Sequence, residues 1–369
     1  MSGLKDKNAL SPHPRVTNGL IGQEEAEQEL LRATLSGRLP HAWLLGGPRG
    51  VGKATLAYRF ARFLLAREGE GGPLFTEASR PCGLELPPEH PVSRRVAAGS
   101  HPDLFALERG LREDGRPRRD IDVESVRLLS SFLHMTSAEG GWRVAVVDSA
   151  DELNANAANA LLKVLEEPPA NSVLLLVSHV PGRLLPTIRS RCRRLLLRPL
   201  GADALRHLLE RHLPEAEPDQ LALLASLADG SIGRALELAA EGGLDLYREI
   251  VQLLAGLPHL ETAKAHAFAD ALARDASGRR MRTASDLLLW WIARLVQAAA
   301  KGGLPPALIE REEEISRRLL EGRALADWVS LWENLRHLFE QAERISLDRK
   351  QVMLTALHRL AGQGPVSAG

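Results

Sequence analysis

Cysteine is nearly absent from this chain of 369 residues: Cys82 and Cys192 are the only two. Two thiols cannot build a disulfide framework, and such sparing use points to a reducing compartment. Net charge is missing as well, since Lys+Arg and Asp+Glu each total 47. That balance excludes a global field aimed at nucleic acid or a membrane. No apolar run reaches membrane-spanning length, and the start Met1-Ser-Gly-Leu-Lys5 lacks an apolar signal region. A soluble, cytoplasmic protein is the expectation. Lysine is scarce too, so arginine supplies 40 of the 47 basic residues. A compositional bias accounts for so many guanidiniums better than 40 separate functions do.

A chain this long suggests two or three domains with room for real cores. Residues 47 to 53 read Gly47-Pro-Arg-Gly50-Val-Gly52-Lys53, a P-loop spaced for phosphate. Its backbone N–H groups and Lys53 can cradle an anion at the start of a helix opened by Ala54 and Thr55. Ala54 stands where a Ser or Thr hydroxyl would hold Mg²⁺. The context suits the motif. His41-Ala-Trp-Leu-Leu45 reads as a buried strand before the loop, and Leu56, Phe60, Phe63 and Leu64 recur at helical spacing after it.

Further short apolar runs at 104–107, 144–147, 173–177 and 195–197 alternate with helical patterns, which predicts a mostly parallel sheet covered on both faces. A helix from about Leu153 to Glu167 stops at Pro168-Pro169. Residues 68–100 are rich in Gly and Pro and read as an insertion of little regular structure. Asp148 ends the 144–147 run, where a metal-side acid belongs. The next residue is Ser149, whereas an active hydrolase needs a carboxylate there to polarise water. Asp151 and Glu152 are expected to open the following helix, where acids suit its dipole. Two missing parts, the metal hydroxyl and the water activator, point to a site without catalytic power.

Three segments carry a resemblance. Ser190-Arg191-Cys192, the stretch Asn159-Ala-Leu-Leu-Lys-Val-Leu-Glu-Glu-Pro-Pro169 and Ser100-His-Pro-Asp103 are similar to bacterial clamp-loader subunits of the AAA+ class. The resemblance implies an α/β AAA+ P-loop domain over residues 1–200. Its five parallel strands would run in the order 5-1-4-3-2, with the P-loop strand beside the one ending at Asp148. A three-helix lid over 201–243 and an all-α collar over 244–369 would follow, joined near Gly242-Gly243. Arg191 matches the family's arginine finger, which reaches a neighbouring subunit's ATP; a guanidinium suits that task because its planar fork stays ionised. Without Ser190 and Cys192 beside it, Arg191 would read as one solvated member of the cluster Arg189, Arg191, Arg193, Arg194 and Arg198. Ser178 or His179 takes the polar sensor position, Arg234 the lid arginine, and Pro14-Arg15 with Gly22-Gln23 the adenine-side segment. ATP or ADP would bind weakly or not at all, with Mg²⁺ only alongside nucleotide. The implied partners are gamma/tau and delta subunits in a five-membered ring, and through them a sliding clamp and primer-template DNA.

Many relatives carry four cysteines as a zinc module in the insertion. Here it holds Cys82, with His90 further on, too few for a structural zinc site. Cys192 reads as a buried small residue. From Glu241 onward the chain has 17 basic and 17 acidic residues, so no DNA-reading face is indicated. Trp290, Trp291, Trp328 and Trp332 are expected in a helical core, or in part at a subunit contact. An active gamma/tau-type ATPase and a DNA-acting motor remain as alternatives; Ala54 and Ser149 weigh against the first, the balanced charge against the second.

Overall fold

The structure is a computed structural model and describes residues 12–66, 83–110, 118 and 120–362. Cys82 and most of the glycine- and proline-rich insertion lie outside the described residues. The contacts divide the chain into two units. Among the described residues, the first comprises those from 12 to 212 and 229–234, the second 213–228 and 235–362.

In the first unit, α1 (Glu24–Leu35) leads to β1 (Ala42–Gly46) and, after the P-loop, to α2 (Lys53–Ala66) and α3 (Pro91–Ala98). Then come β2 (Leu104–Glu108), α4 (Val123–His134), β3 (Arg143–Asp148), α5 (Ala155–Glu166) and β4 (Ser172–Ser178). α6 (Pro186–Arg191), β5 (Arg193–Leu196) and α7 (Ala202–His212) complete the unit. All strand pairings are parallel, and the strands lie in the order β2-β3-β4-β1-β5, the expected 5-1-4-3-2 read from the other edge. One expectation is corrected. The neighbours of β1 are β4 and β5, so the P-loop strand does not stand beside the one ending at Asp148.

The apolar runs do not alternate because both faces of the sheet are covered. Successive side chains on one strand serve opposite cores. Val144 and Val146 pack with Leu30, Leu56, Phe60 and Leu64. Ala145 and Val147 pack with Val126, Leu129, Leu161 and Leu165. The end of the insertion is more regular than its composition suggested: α3 starts at Pro91, a favoured first helical residue, with His90 accepting from the Val92 N–H.

Asp103 explains why the Ser100–Asp103 segment is distinctive. It is 1% exposed, and its carboxylate accepts from Ser137 Oγ at 3.0 Å, Ala138 N–H at 2.9 Å and Glu139 N–H at 3.1 Å. Arg143 lies 3.4 Å away. One buried charge thus folds the 136–141 turn onto the sheet and positions the start of β3.

The second unit contains α8 (Pro218–Ala228), the part of α9 (Ile232–Ala240) from Ala235, α10 (Gly243–Ala255), α11 (Thr262–Ala273), α12 (Arg279–Ala300), α13 (Glu312–Gly322), α14 (Leu325–Ile345) and α15 (Arg349–Leu360). No strand follows β5 among the described residues. Of the four tryptophans expected in its core, Trp291 and Trp328 are buried. Trp290 and Trp332 are half-buried and carry Arg294 and Arg336 over their rings at 5.3 and 5.4 Å. Glu312, 1% exposed, joins three helices by accepting from Tyr247 Oη, Arg294 and the Leu308 N–H, each at 2.7 Å.

Replacing Asp103 with alanine leaves the Ala138 and Glu139 N–H groups without their acceptor and removes the buried counter-charge of Arg143, which keeps only the Phe132 and Thr136 carbonyls. The first unit should lose about 3–5 kcal/mol of stability, read from urea unfolding.

Candidate functional site

A phosphate cradle requires a loop tight enough to aim several N–H groups at one point, and here glycine makes that loop possible. Gly47 and Gly50 have φ of 144° and 76°. A Cβ on Gly47 would lie 2.3 Å from the Leu197 carbonyl oxygen, and one on Gly50 2.3 Å from Ser231 Oγ. Gly52 has φ of 100°, and α2 begins at Lys53, followed by Ala54 and Thr55.

The loop's own atoms use its lysine. Lys53 is 3% exposed, and Nζ donates to the carbonyls of Gly47, at 2.7 Å, and Pro48. Burial lowers its pKa to about 8, while the charge of Asp148 works in the opposite direction. Residues 229–234 close on the same loop. Ser231 Oγ donates to the Arg49 carbonyl at 2.7 Å, and the Gly233 N–H donates to the Gly50 carbonyl at 3.0 Å. Arg234, the lid-arginine candidate, follows in α9, and its N–H donates to Ser231 Oγ at 3.1 Å.

Strand register sets the acidic side. β4 stands between β1 and β3, pairing Gly46 with Ser178 and Asp148 with Val177. On the other side Asp148 pairs with Glu108. Burial, then Glu108 and Glu152, raise the Asp148 pKa to about 6. Glu108 itself accepts from Tyr58 Oη at 3.0 Å and lies 3.3–3.4 Å from His13 and Arg15, which hold its carboxyl below the usual range against burial. Pro14-Arg15 is therefore fastened to a carboxylate, and Arg62 adds hydrogen bonds to the carbonyls of Arg15 and Thr17. Nothing local in the sequence marks Glu108 as the partner of Asp148.

Ser149, in the water activator's place, is buried, and its hydroxyl has no hydrogen-bond partner. Asp151 corrects another expectation. Together with Glu152 it belongs to a separate 3-10 turn, Ala150–Glu152, while Asn154 caps α5 by accepting from the Ala157 N–H at 2.9 Å. The Asp151 carboxylate instead accepts from Ser178 Oγ at 2.7 Å and from the His179 N–H. It fixes both sensor candidates, so Ser178, wholly buried, points its hydroxyl at Asp151. Burial and nearby Lys53 lower the His179 pKa to about 4, leaving a neutral ring.

These residues fit a Mg²⁺-nucleotide poorly. Ala54 offers a methyl group where the ion needs oxygen, Lys53 is already paired, and no carboxylate follows Asp148. Among the described residues there is no group of three or more His, Cys, Asp or Glu able to hold a metal.

Arg191 is not part of this cluster. It ends α6, just before β5, and Arg193 is level with Trp43 at the start of β1. It therefore lies at the end of the sheet away from the P-loop, separated by at least three strand residues, about 10 Å. Its guanidinium is partly exposed and meets Glu166 at 2.8 Å and the Thr187 carbonyl at 3.2 Å. Cys192 beside it is buried, which pushes its thiol up to about 12, so it acts as packing and not as a nucleophile.

Asp148 yields a pH test. Its folded pKa is above its ordinary value of 3.8, so its stabilising contribution is complete below pH 4 and lost as pH rises through 6. Asp148→Asn, which cannot ionise, should be more stable than the parent at pH 7–8 by about 1–3 kcal/mol. The advantage should vanish near pH 4, as followed by thermal melts across that range.

Residues 22–201 match the family described as "DNA polymerase III, delta subunit". The chain is 39% identical over 227 residues to DNA polymerase III subunit delta' of Pseudomonas aeruginosa, covering 61% of this chain and 64% of that one. With subunit delta' of Escherichia coli K12 it shares 34% over 213 residues, 57% and 58% of the two chains. With subunit tau of Salmonella typhimurium it shares 30% over 335 residues, 84% of this chain and 49% of the other. Its matches span less than two thirds of these relatives' lengths. No described helix is long and apolar enough to cross a membrane. By its sheet order, its P-loop and the match over residues 22–201, the chain is similar to DNA polymerase III subunits of the delta' and tau kind.

Proposed function

We propose that this protein is a ring subunit of a bacterial clamp loader that does not itself burn ATP and lends Arg191 to a neighbour's site. The observation that carries this reading is the separation of two half-sites. The P-loop end of the sheet has no hydroxyl at Ala54 and no carboxylate directly after Asp148, while Ser190-Arg191-Cys192, which resembles an arginine-finger segment, stands at the opposite end. An arginine there cannot serve its own phosphate loop without crossing the sheet. It can serve one on another chain, where a fixed planar cation offsets charge on a transferring phosphoryl group.

Gamma/tau and delta subunits are the proposed neighbours, in a five-membered ring that places a sliding clamp on primer-template DNA for replication. The helical second unit, with balanced charge and the half-buried pairs Trp290–Arg294 and Trp332–Arg336, suits a collar contact with other subunits better than a nucleic-acid face. An active gamma/tau-type ATPase is disfavoured by the same two substitutions at the P-loop end.

Two outcomes follow. The pure chain should show no Mg²⁺-dependent ATP turnover above background, because each of the two missing contacts is worth about 10²-fold or more. In the assembled loader, Arg191→Ala should sharply lower DNA-stimulated ATPase and clamp loading, with a loss of about 10³–10⁵ at the one site served and less in the ring as a whole. Arg191→Lys should restore little, since an ammonium lacks the fork. Normal loading by the Arg191→Ala complex would refute the reading.

A further inference from the structure

Glu166 is placed where helix electrostatics disfavours it. It is the last residue of α5, at the negative end of the helix dipole, where an acid is unfavourable and a base such as Lys163 is welcome. Something else must account for its orientation, and the structure supplies it: Glu166 Oε1 lies 2.8 Å from Arg191 Nη2. Arg191 is the last residue of α6. Its other amino group donates to the Thr187 carbonyl, which also accepts from Ser190 Oγ. The guanidinium is therefore drawn back over its own helix and toward α5. Ile188 and Cys192, both buried, fix the backbone on which it turns.

Both partners are partly exposed, with 37% and 50% of their side-chain surface accessible. Such a pair is weak and screened by salt. A triphosphate presents more negative charge and the same bidentate geometry as a carboxylate, so it can displace Glu166 from the fork.

We propose that Glu166 is a positioning residue for Arg191: it holds the guanidinium in a withdrawn state, and the triphosphate of the adjacent subunit must displace it to engage the arginine. This inference rests on the proposed trans role of Arg191 and adds a competitor built into the same chain. The exchange is purely electrostatic, with no bond made or broken.

The experiment uses the complex assembled with gamma/tau and delta subunits and measures ATPase rate against ATP concentration, with and without primed DNA. Four forms are compared: parent, Glu166→Gln, Arg191→Ala and the double variant. Removing the competing charge should lower the KM for ATP by about two- to fivefold, in keeping with the strength of an exposed pair, and raise DNA-independent turnover by a similar factor. The maximal DNA-stimulated rate should stay near the parent's. The difference should shrink as salt is raised from about 0.05 to 0.3 M. The double variant should match Arg191→Ala alone. A Glu166→Gln complex with unchanged KM, or with lowered maximal rate, overturns the inference, as does a benefit that persists without Arg191. If Arg191→Ala itself changes nothing, the trans reading fails and this inference with it. If Arg191→Ala is defective but Glu166→Gln has the parent's kinetics, this inference fails alone.

Discussion

Parallel pairing of β3, β4 and β1 governs the site, because it brings three strand ends to one level. Gly46 meets Ser178, and Val177 meets Asp148. A parallel sheet places the loop after each strand on the same edge, so residues distant in sequence gather without any local code. With β4 in the middle, Asp151 can reach across and hold Ser178 and His179, and Lys53 comes within electrostatic range of both Asp148 and Asp151. The same pairing sends the end of α6, which precedes β5, to the other edge. One topological choice therefore separates the phosphate loop from Arg191.

Much of this was legible in the chain. The P-loop was readable because its seven positions are contiguous, and the strands because double burial makes each an unbroken apolar run. The strand order came from resemblance, and it was read correctly while its consequence was not: β4 intervenes between the P-loop strand and Asp148. What the sequence hid are contacts across long separations. Glu108 is 40 positions from Asp148 and shares a ladder rung with it. Asp151 resembled an ordinary helix-opening acid because helix starts favour acids, but Asn154 already fills that role. The tryptophans show the same limit. Helical spacing groups Trp290 with Trp291 but does not say that Trp291 lies fully inside while Trp290 sits at the rim of the core.

The two ends of the sheet are built differently. At the phosphate end nearly every polar group is spoken for: Lys53 by its own loop, Ser231 by Arg49, Ser178 by Asp151, Glu108 by Tyr58, His13 and Arg15. At the other end the Arg191–Glu166 pair is exposed and loosely committed. Preorganised, buried hydrogen bonds make one end rigid, while a solvated ion pair leaves the other free to exchange partners.

The self-pairing of Lys53 has a consequence for the subunit's thermodynamics. A nucleotide stabilises a fold only to the extent that it binds the native state, and the gain grows with its free concentration. In a loop whose cation already satisfies two carbonyls, an incoming phosphate must first break those contacts, which offsets part of what it gains. The stability of this loop therefore depends first on contacts within the chain itself.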